Sequence, residues 1–419
     1  MTGQEYTVKD LSLADQGKKN IEWAEKQMGA LMNVRQRFAR ERPLKNVRVG
    51  IALHVTKETA VLVRTLIAGG ADVAICSCNP LSTQDDVAAS LAKEGVKVYA
   101  KKGQSREEYY ENLRRVIAFK PQITIDDGCD LVTEIHKHHP ELIPLIFFGN
   151  EETTTGIIRL KAMDKDKALK YPVLAINDLK TKHLFDNYYG TGQSTWDGII
   201  RATNILLAGK TIVVCGYGPC GKGVALKARG LGADVIVCEV DPFKALQAKM
   251  DGYRVMPLVE AIHEGEIFVT VTGNKNVIDI PHMKAMKEGT ILANAGHFDA
   301  EINMASLQKA ASSQRRIRPF MDEFVLNEKK LFVLGEGRLI NLAAAEGHPS
   351  MVMAMSFCGQ ALAVEYGLKN KLALKICVNE LPKEIDETIA KLQLEALGVK
   401  IDTLTSEQKK YLESWQEGT

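Results

Sequence analysis

The sequence predicts an α/β fold of two open parallel sheets, each covered by helices, with a hinge between them and a small helical unit at the C-terminus. Three observations predict it. Short apolar runs alternate with helical patterns in two separate sets, the signature of strand–helix–strand units. The chain has 419 residues, more than one ordinary core holds. A glycine-rich turn opens the second set, between a β-branched run and a helical stretch.

The elements follow in order. Ile21, Trp23, Ala24, Met28, Leu31 and Met32 recur at helical spacing and place an amphipathic helix in the first 40 residues. Apolar runs at 47–53, 71–76, 96–100, 123–125 and 145–148 predict the strands of the first sheet, with helices between them such as 105–119. A seam covers 177–193. The second set starts at Thr211 and continues with runs at 267–272, 290–293 and 331–334. A long helix is expected over 350–366, then a charged, helical tail. The expected division is 1–177 with 350–380 as one domain, 193–346 as a second and 381–419 as a tail unit. Hinges fall near 178–192 and 347–349.

Bulk properties exclude several classes. Hydrophobic residues make up 45% and charged residues 25%, as in ordinary globular proteins. The balance of 54 basic and 52 acidic residues gives no reason to expect nucleic acid or an anionic membrane as partner. The start carries no basic segment followed by an apolar one, so no signal peptide is expected. The longest apolar stretch, 142–148, is broken by Pro144 and is too short for a membrane span. Eight cysteines occur without C-x-x-C pairing, with Cys215 and Cys238 in predicted buried strands. That usage suits a reducing cytoplasm, with no disulfide framework and no metal site.

Residues 211–239 read TIVVCGYGPCGKGVALKARGLGADVIVCE and carry the most specific signal. Gly216, Gly218 and Gly221 stand in G-x-G-x-x-G spacing after a strand and before a helix. Gly216 serves the tight turn, Gly218 the approach of the backbone to a pyrophosphate, and Gly221 close packing of helix on strand. The helix N-terminus faces the phosphates. Glu239 lies 18 residues beyond the last glycine, where an acid accepts hydrogen bonds from the adenosine ribose and repels a 2′-phosphate. The second unit is therefore Rossmann-like, with NAD as its cofactor.

Polar clusters recur where the strands of the first sheet end, the place where open parallel sheets bind ligands. They are His54 with Thr56; Asn79 with Ser82, Thr83, Gln84 and Asp85; Asp126 with Asp127; and Glu151 with Glu152. Ser82 and Asp130 are read as helix caps. His136, His138 and His139 are read as cations at a helix C-terminus, not as metal ligands.

At these residues the chain resembles the S-adenosyl-L-homocysteine hydrolase family. The matching segments are LHVTKETAVL (53–62), CNPLSTQD (78–85), DDGCDL (126–131), EETTTG (151–156), NDLKTKHLFDNYYGTGQS (177–194), the glycine loop, GHFDAEI (296–302) and NLAAAEGHPS (341–350), in order along nearly the whole chain. The resemblance implies hydrolysis of S-adenosyl-L-homocysteine to adenosine and homocysteine, which relieves product inhibition of methyltransferases. In this family a tightly held NAD oxidises the ribose 3′-hydroxyl, which acidifies the 4′ proton. Loss of that proton expels homocysteine, water adds, and the hydride returns. It also implies a cytoplasmic homotetramer with a small nucleoside thioether as its ligand.

The resemblance assigns roles residue by residue. Lys182 and Asp186, four apart and so on one helix face, handle the 3′-hydroxyl proton. As a base Lys182 must lose its charge, which needs burial to outweigh its pairing with Asp186. Asp127 and His54 serve the 4′ and 5′ carbons, their two roles undivided. Glu152 binds ribose hydroxyls. Thr153, Thr154, Thr155, Asn187, Asn274 and Asn341 contact the cofactor. Thr56, Glu58 and His348 surround the purine edge, and His297 lies on the homocysteine side.

Four departures from the family pattern stand out. Pro219 and Cys220 replace an Asp-Val pair, and Pro219 removes one N–H from the phosphate loop. Thr191 stands for a cysteine near the cofactor. Glu346 stands for a methionine beside His348, which bears on whether an inosyl substrate replaces the adenosyl one. The chain ends without the further tail that brings a lysine and a tyrosine to a neighbouring subunit's NAD, so weaker cofactor retention is expected. An NAD-dependent 2-hydroxyacid dehydrogenase would share the second unit but not the matches in the first. A non-catalytic binding module would not need Lys182, Asp186, Asp127, His54 and Glu152 together.

Overall fold

A computed structural model describes residues 6–416. The extreme ends of the chain, including the last residues of the expected tail unit, lie outside the described residues. The first sheet has seven strands in the order Val378–Asn379, Val173–Ala175, Phe148–Glu151, Ile123–Asp126, Arg48–Ala52, Asp72–Cys76 and Lys97–Tyr99, all parallel. Its central strands are buried on both faces, which is why they read as continuous apolar runs. The second sheet has eight strands in the order Ser313–Arg318, Met321–Leu326, Lys329–Leu334, Ile291–Asn294, Ile267–Thr270, Thr211–Cys215, Asp234–Cys238 and Arg254–Val255.

In each sheet the chain works outward from a central strand and then restarts on its other side. The first switch point lies between Arg48–Ala52 and Ile123–Asp126, and the second between Thr211–Cys215 and Ile267–Thr270. Loops leaving the carboxyl ends at such points form the ligand crevices of open sheets. Here they carry His54, Asp127 and the glycine turn.

The structure departs from the expected elements in four places. Pro140 and Pro144 make Pro140–Leu145 a 3₁₀ turn, so the strand expected over 145–148 starts only at Phe148. Its later residues Asn150 and Glu151 are polar yet fully buried, so no apolar pattern marks them. The second sheet gains an antiparallel edge through Ser313–Arg318 and Met321–Leu326. Every residue of Ser313–Arg318 is exposed, and its arginines suit an edge strand that must not pair further. Trp23 is 58% exposed, whereas Ile21, Ala24, Met28 and Leu31 are fully buried; it sits just off the apolar stripe. Ser82 and Asp130 are not caps. Ser82 Oγ lies 2.7 Å from His54 Nδ1, and Asp130 pairs with Arg159 at 2.7 Å.

The chain passes between the sheets twice. The outward passage holds Lys180–His183 and a π-helical turn, Asp186–Gly190, before the helix Thr191–Thr203. The return passage follows Ile340–Ala343 and leads into Ser350–Asn370. This last helix packs Ala354, Phe357, Cys358, Ala361 and Val364 into the core of the first sheet. It is long and apolar enough to cross a membrane, but 72% of its most apolar window is buried inside the protein. The C-terminal residues behave in two ways. Lys383–Ala396 sets Ile389 into the same core, fully buried, whereas Ser406–Glu413 buries nothing. All eight cysteines are free thiols.

This packing predicts unequal sensitivity along the C-terminal region. Ile389→Ala should destabilise the protein by about 2–4 kcal/mol, as for other large-to-small changes in a core. Leu412→Ala, on an exposed helix, should stay within about 0.5 kcal/mol. Denaturant unfolding of the two variants checks both.

Candidate active site

A cavity of about 1260 Å³ opens between the carboxyl ends of the two sheets. Every site residue expected from the sequence lines it except Gly221. Gly221 packs on the Gly216 carbonyl, where any Cβ would clash, so it closes helix on strand as expected.

On the first-sheet side, His54 Nε2 lies 3.4 Å from Asp127 Oδ2, and His297 Nδ1 lies 3.5 Å from Asp127 Oδ1. The Asp127 carboxylate thus sits between two imidazoles from different sheets. Gly128 makes this possible: its φ is +104°, and a Cβ would collide with the His297 ring. Burial pushes His54 down to about 4 despite the attraction of Asp127, so the ring is neutral at neutral pH. Cys78 Sγ is 3.3 Å from His54 Nδ1 and 3.7 Å from Asp127 Oδ2. One ligand atom from each of His54, Cys78 and Asp127 falls within 4.8 Å of the others, close enough for one metal ion to bridge them.

The neighbouring carboxylates divide their work. Asp126 and Glu151 lie under the cavity floor and hold backbone: Asp126 accepts from the N–H of Asp127 and Val132, and Glu151 from those of Gly128 and Thr153. Burial pushes Asp126 up to about 7. Asp127 and Glu152, one residue on in each case, line the cavity.

Lys182 is the centre of a second cluster. Its Nζ donates to Asp186 Oδ2 at 2.8 Å and Asn187 Oδ1 at 2.8 Å, and lies 3.8 Å from Glu152 Oε1. Asp186 Oδ1 pairs in turn with His348 Nδ1 on the return passage. Burial disfavours the Lys182 charge, but Asp186 and Glu152 outweigh it and hold the ammonium above the usual lysine range. This reverses the balance that a basic Lys182 requires. Burial also opposes the Asp186 charge, and His348 and Lys182 overcome it, keeping the carboxyl well below its ordinary value. Glu152 accepts from Ser356 Oγ and from Gln360 Nε2 at 2.6 Å. Burial raises it to about 7 against the pull of Lys182.

At the far end of the cavity, Thr56 caps the helix Lys57–Ala68. Glu58, 1% exposed, accepts from Ser350 Oγ at 2.6 Å. Glu346 does not line the cavity; its carboxylate takes Lys57 Nζ at 2.9 Å and Arg201 Nη2 at 3.3 Å. His348, expected at the purine edge, is tied to Asp186 through one nitrogen and lies 3.4 Å from Thr191 Oγ1 through the other.

The second sheet builds a surface that fits a dinucleotide. Gly216 has φ +108°, and Gly218 faces open space. The helix begins at Pro219, its first position, where proline fits because that N–H has no intrahelical partner. Glu239 accepts from the N–H of Tyr217 and Val240, each at 2.7 Å, which fixes an acceptor in the cavity wall. Asn341 donates to Ser194 Oγ, and its buried Oδ1 has no partner among the described residues. A hydrogen-bond donor is what such an orphan acceptor lacks. Thr154 bonds Asn177, which also accepts from Asn187 Nδ2. The loop bearing Asn274 hangs from buried Glu301, which accepts from Thr272 Oγ1 at 2.7 Å and Gly273 N at 2.8 Å.

Several supporting residues escaped the sequence reading: Cys78, Ser356, Gln360, Asn177 and Glu301. Ser356 and Gln360 are four apart on an apolar helix, a polar pair on one face that is a usable signal. Glu301 and Asn177 carry none, because their role depends on loops distant in sequence.

The Glu152 geometry gives a pH prediction. Its raised value means the folded state binds the proton more tightly than the unfolded chain. Its contribution to stability is therefore full below about 4.5 and lost as pH rises through about 7. The stability difference between wild type and Glu152→Gln should fall across that window and be flat outside it. Urea midpoints measured from pH 4 to 8 check this.

Comparison with known proteins agrees with this geometry. The S-adenosyl-L-homocysteine hydrolase family matches residues 5–147, and its S-adenosyl-L-homocysteine hydrolase, NAD binding domain matches residues 187–347. The chain is 56% identical to the S-inosyl-L-homocysteine hydrolase of Methanocaldococcus jannaschii over 414 residues, covering 99% of this chain and 100% of that one. It is 56% identical over 416 residues to the adenosylhomocysteinase of Saccharolobus solfataricus, with the same coverages. The adenosylhomocysteinase of Aquifex aeolicus is 56% identical over 417 residues, again 99% and 100%. The chain belongs to the S-adenosyl-L-homocysteine hydrolase family, and NAD is its cofactor.

Proposed function

We propose that this protein hydrolyses S-adenosyl-L-homocysteine reversibly to adenosine and L-homocysteine. The observation that carries the reading is one cavity holding two clusters: Lys182–Asp186–Glu152 on one wall and His54–Asp127–His297 on another. Bound NAD supplies removal of a hydride from the ribose 3′ carbon and its return. The protein's residues hold the sugar and move protons. Glu152 accepts from a ribose hydroxyl. Lys182 holds the 3′ oxygen, and its Nζ takes the hydroxyl proton only after passing one of its own protons to the paired Asp186 carboxylate. A second positive charge brought into the cavity by the cofactor lowers the cost of losing the Lys182 proton. Neutral His54 and Asp127 act as a unit on the protons of the 4′ and 5′ positions, with His297 on the homocysteine side. Thr153, Thr154, Thr155, Asn187, Asn274 and Asn341 hold the nicotinamide side.

Glu58 supports adenine as the base. A carboxylate oxygen accepts from an exocyclic amine, whereas hypoxanthine would set a carbonyl oxygen against it. The second reading is the same chemistry on S-inosyl-L-homocysteine, favoured by the M. jannaschii relative, an S-inosyl-L-homocysteine hydrolase. We further propose hinges near 178–192 and 347–349 between a first unit, 1–177 with 350–380, and an NAD unit, 193–346. Closure about them excludes water until its step. A cytoplasmic homotetramer accords with the family, and exposed Leu404, Leu412 and Trp415 offer apolar contact area.

Free homocysteine released from the two substrates, with no NAD added, tests the reading. Faster release from the adenosyl compound is expected; faster release from the inosyl compound transfers the proposal to that substrate. Asp186→Asn should lower kcat by about 10²–10⁴. An unchanged kcat would remove the Lys182–Asp186 pair from the chemistry.

A further inference from the structure

The purine end of the cavity contains a charged arrangement that the roles above leave unused. Lys57, 9% exposed, opens the helix that carries Glu58. Its Nζ is 3.2 Å from Glu58 Oε1 and 2.9 Å from Glu346 Oε2. Glu346 comes from the return passage, so the pair joins the two halves of the molecule. Its position is fixed at other points. Arg201 Nη2 holds its Oε1 at 3.3 Å. Gln84 Nε2 donates to its backbone carbonyl at 3.2 Å, and the same Gln84 accepts the Lys57 N–H through Oε1 at 2.9 Å.

The two oxygens of Glu58 differ as a result. Oε1 is occupied by Ser350 and Lys57, while Oε2 takes no hydrogen bond from the described residues. Glu58 lines the cavity; Lys57 and Glu346 do not. The ammonium that pairs with Glu58 Oε1 is therefore held outside the cavity.

Resting on the proposed function, we propose that Glu346 and Lys57 are positioning residues for purine choice: Glu346 holds the Lys57 ammonium on the Oε1 side of Glu58, so that Oε2 meets the base as an acceptor alone. An adenine amine satisfies such an edge. A hypoxanthine carbonyl finds no donor there and is rejected by an unpaired buried oxygen, which is how polar sites discriminate. Released from Glu346, the flexible lysine stem can swing from the Oε1 side of Glu58 toward the cavity and offer a donor to that carbonyl.

The test is kcat/KM for S-adenosyl- and S-inosyl-L-homocysteine in four proteins: wild type, Glu346→Gln, Glu346→Asp and the double variant Lys57→Met with Glu346→Gln. The wild-type preference judges the proposed function. The response of the adenosyl-to-inosyl ratio judges this inference separately. Glu346→Gln should lower the ratio at least about tenfold, through KM with kcat little changed and with a gain on the inosyl substrate. Glu346→Asp, which keeps the charge, should stay near wild type. The double variant should lose the inosyl gain, because it lacks the donor. An unchanged ratio in Glu346→Gln, or equal losses on both substrates, would reduce the pair to a structural latch and overturn the inference. A gain that survives in the double variant would overturn it as well.

Discussion

The carboxylate of Asp186 is the interaction on which the rest of the site depends. It lies on the outward passage between the sheets, bonds Lys182 four residues before it, and pairs with His348 on the return passage. One buried anion thus joins both chain crossings and fixes the lysine. All three charged groups of this cluster are nearly out of water: the side chains of Lys182, Asp186 and Glu152 are 4%, 4% and 7% exposed. Buried charges persist only when paired and hydrogen-bonded, and removing one partner leaves a costly remainder. The π-helical turn at Asp186–Gly190 sets Asp186 and Asn187 on the Lys182 side at once, a distortion of the sort found at functional sites.

The second consequence concerns where protons can reside. Lys182 is held charged, Asp186 ionised, His54 neutral, and Glu152 poised near neutrality. These states arise from burial working against, or with, specific partners, and they separate donors from acceptors around one space. The two sheets divide the labour. The first supplies acids, bases and hydroxyl acceptors from its strand ends, and the second supplies the glycine turn and Glu239. His297 and Asn341 cross that division, so the site is complete only with both sheets facing each other.

Much of this was legible in the sequence. Alternating strands and helices, the glycine spacing and Glu239 gave the fold class and the cofactor, because each reflects a local backbone requirement. The strand-end clusters gave candidates such as His54, Asp127 and Glu152, because parallel sheets place ligands there, while Lys182, Asp186 and His348 and the roles came from the family resemblance. Local patterns could not separate Asp126 from Asp127 or Glu151 from Glu152. Which of two adjacent carboxylates enters a cavity depends on what lies beneath the strand. The antiparallel edge at Ser313–Arg318 was missed because an arginine-rich, fully exposed strand carries no apolar period. The charge state of Lys182 was left as a condition, that burial outweigh pairing, which the structure does not meet. The sequence shows its pairing with Asp186 but not Glu152, 30 residues away, adding a second carboxylate.

The central claim is that these buried groups support proton removal at the 4′ carbon, not direct displacement at the thioether. The most direct measurement is the incorporation of deuterium at the 4′ position of adenosine when the protein turns over in heavy water. The account predicts label at 4′ in both recovered substrate and product. Homocysteine release with no label at 4′ would contradict it.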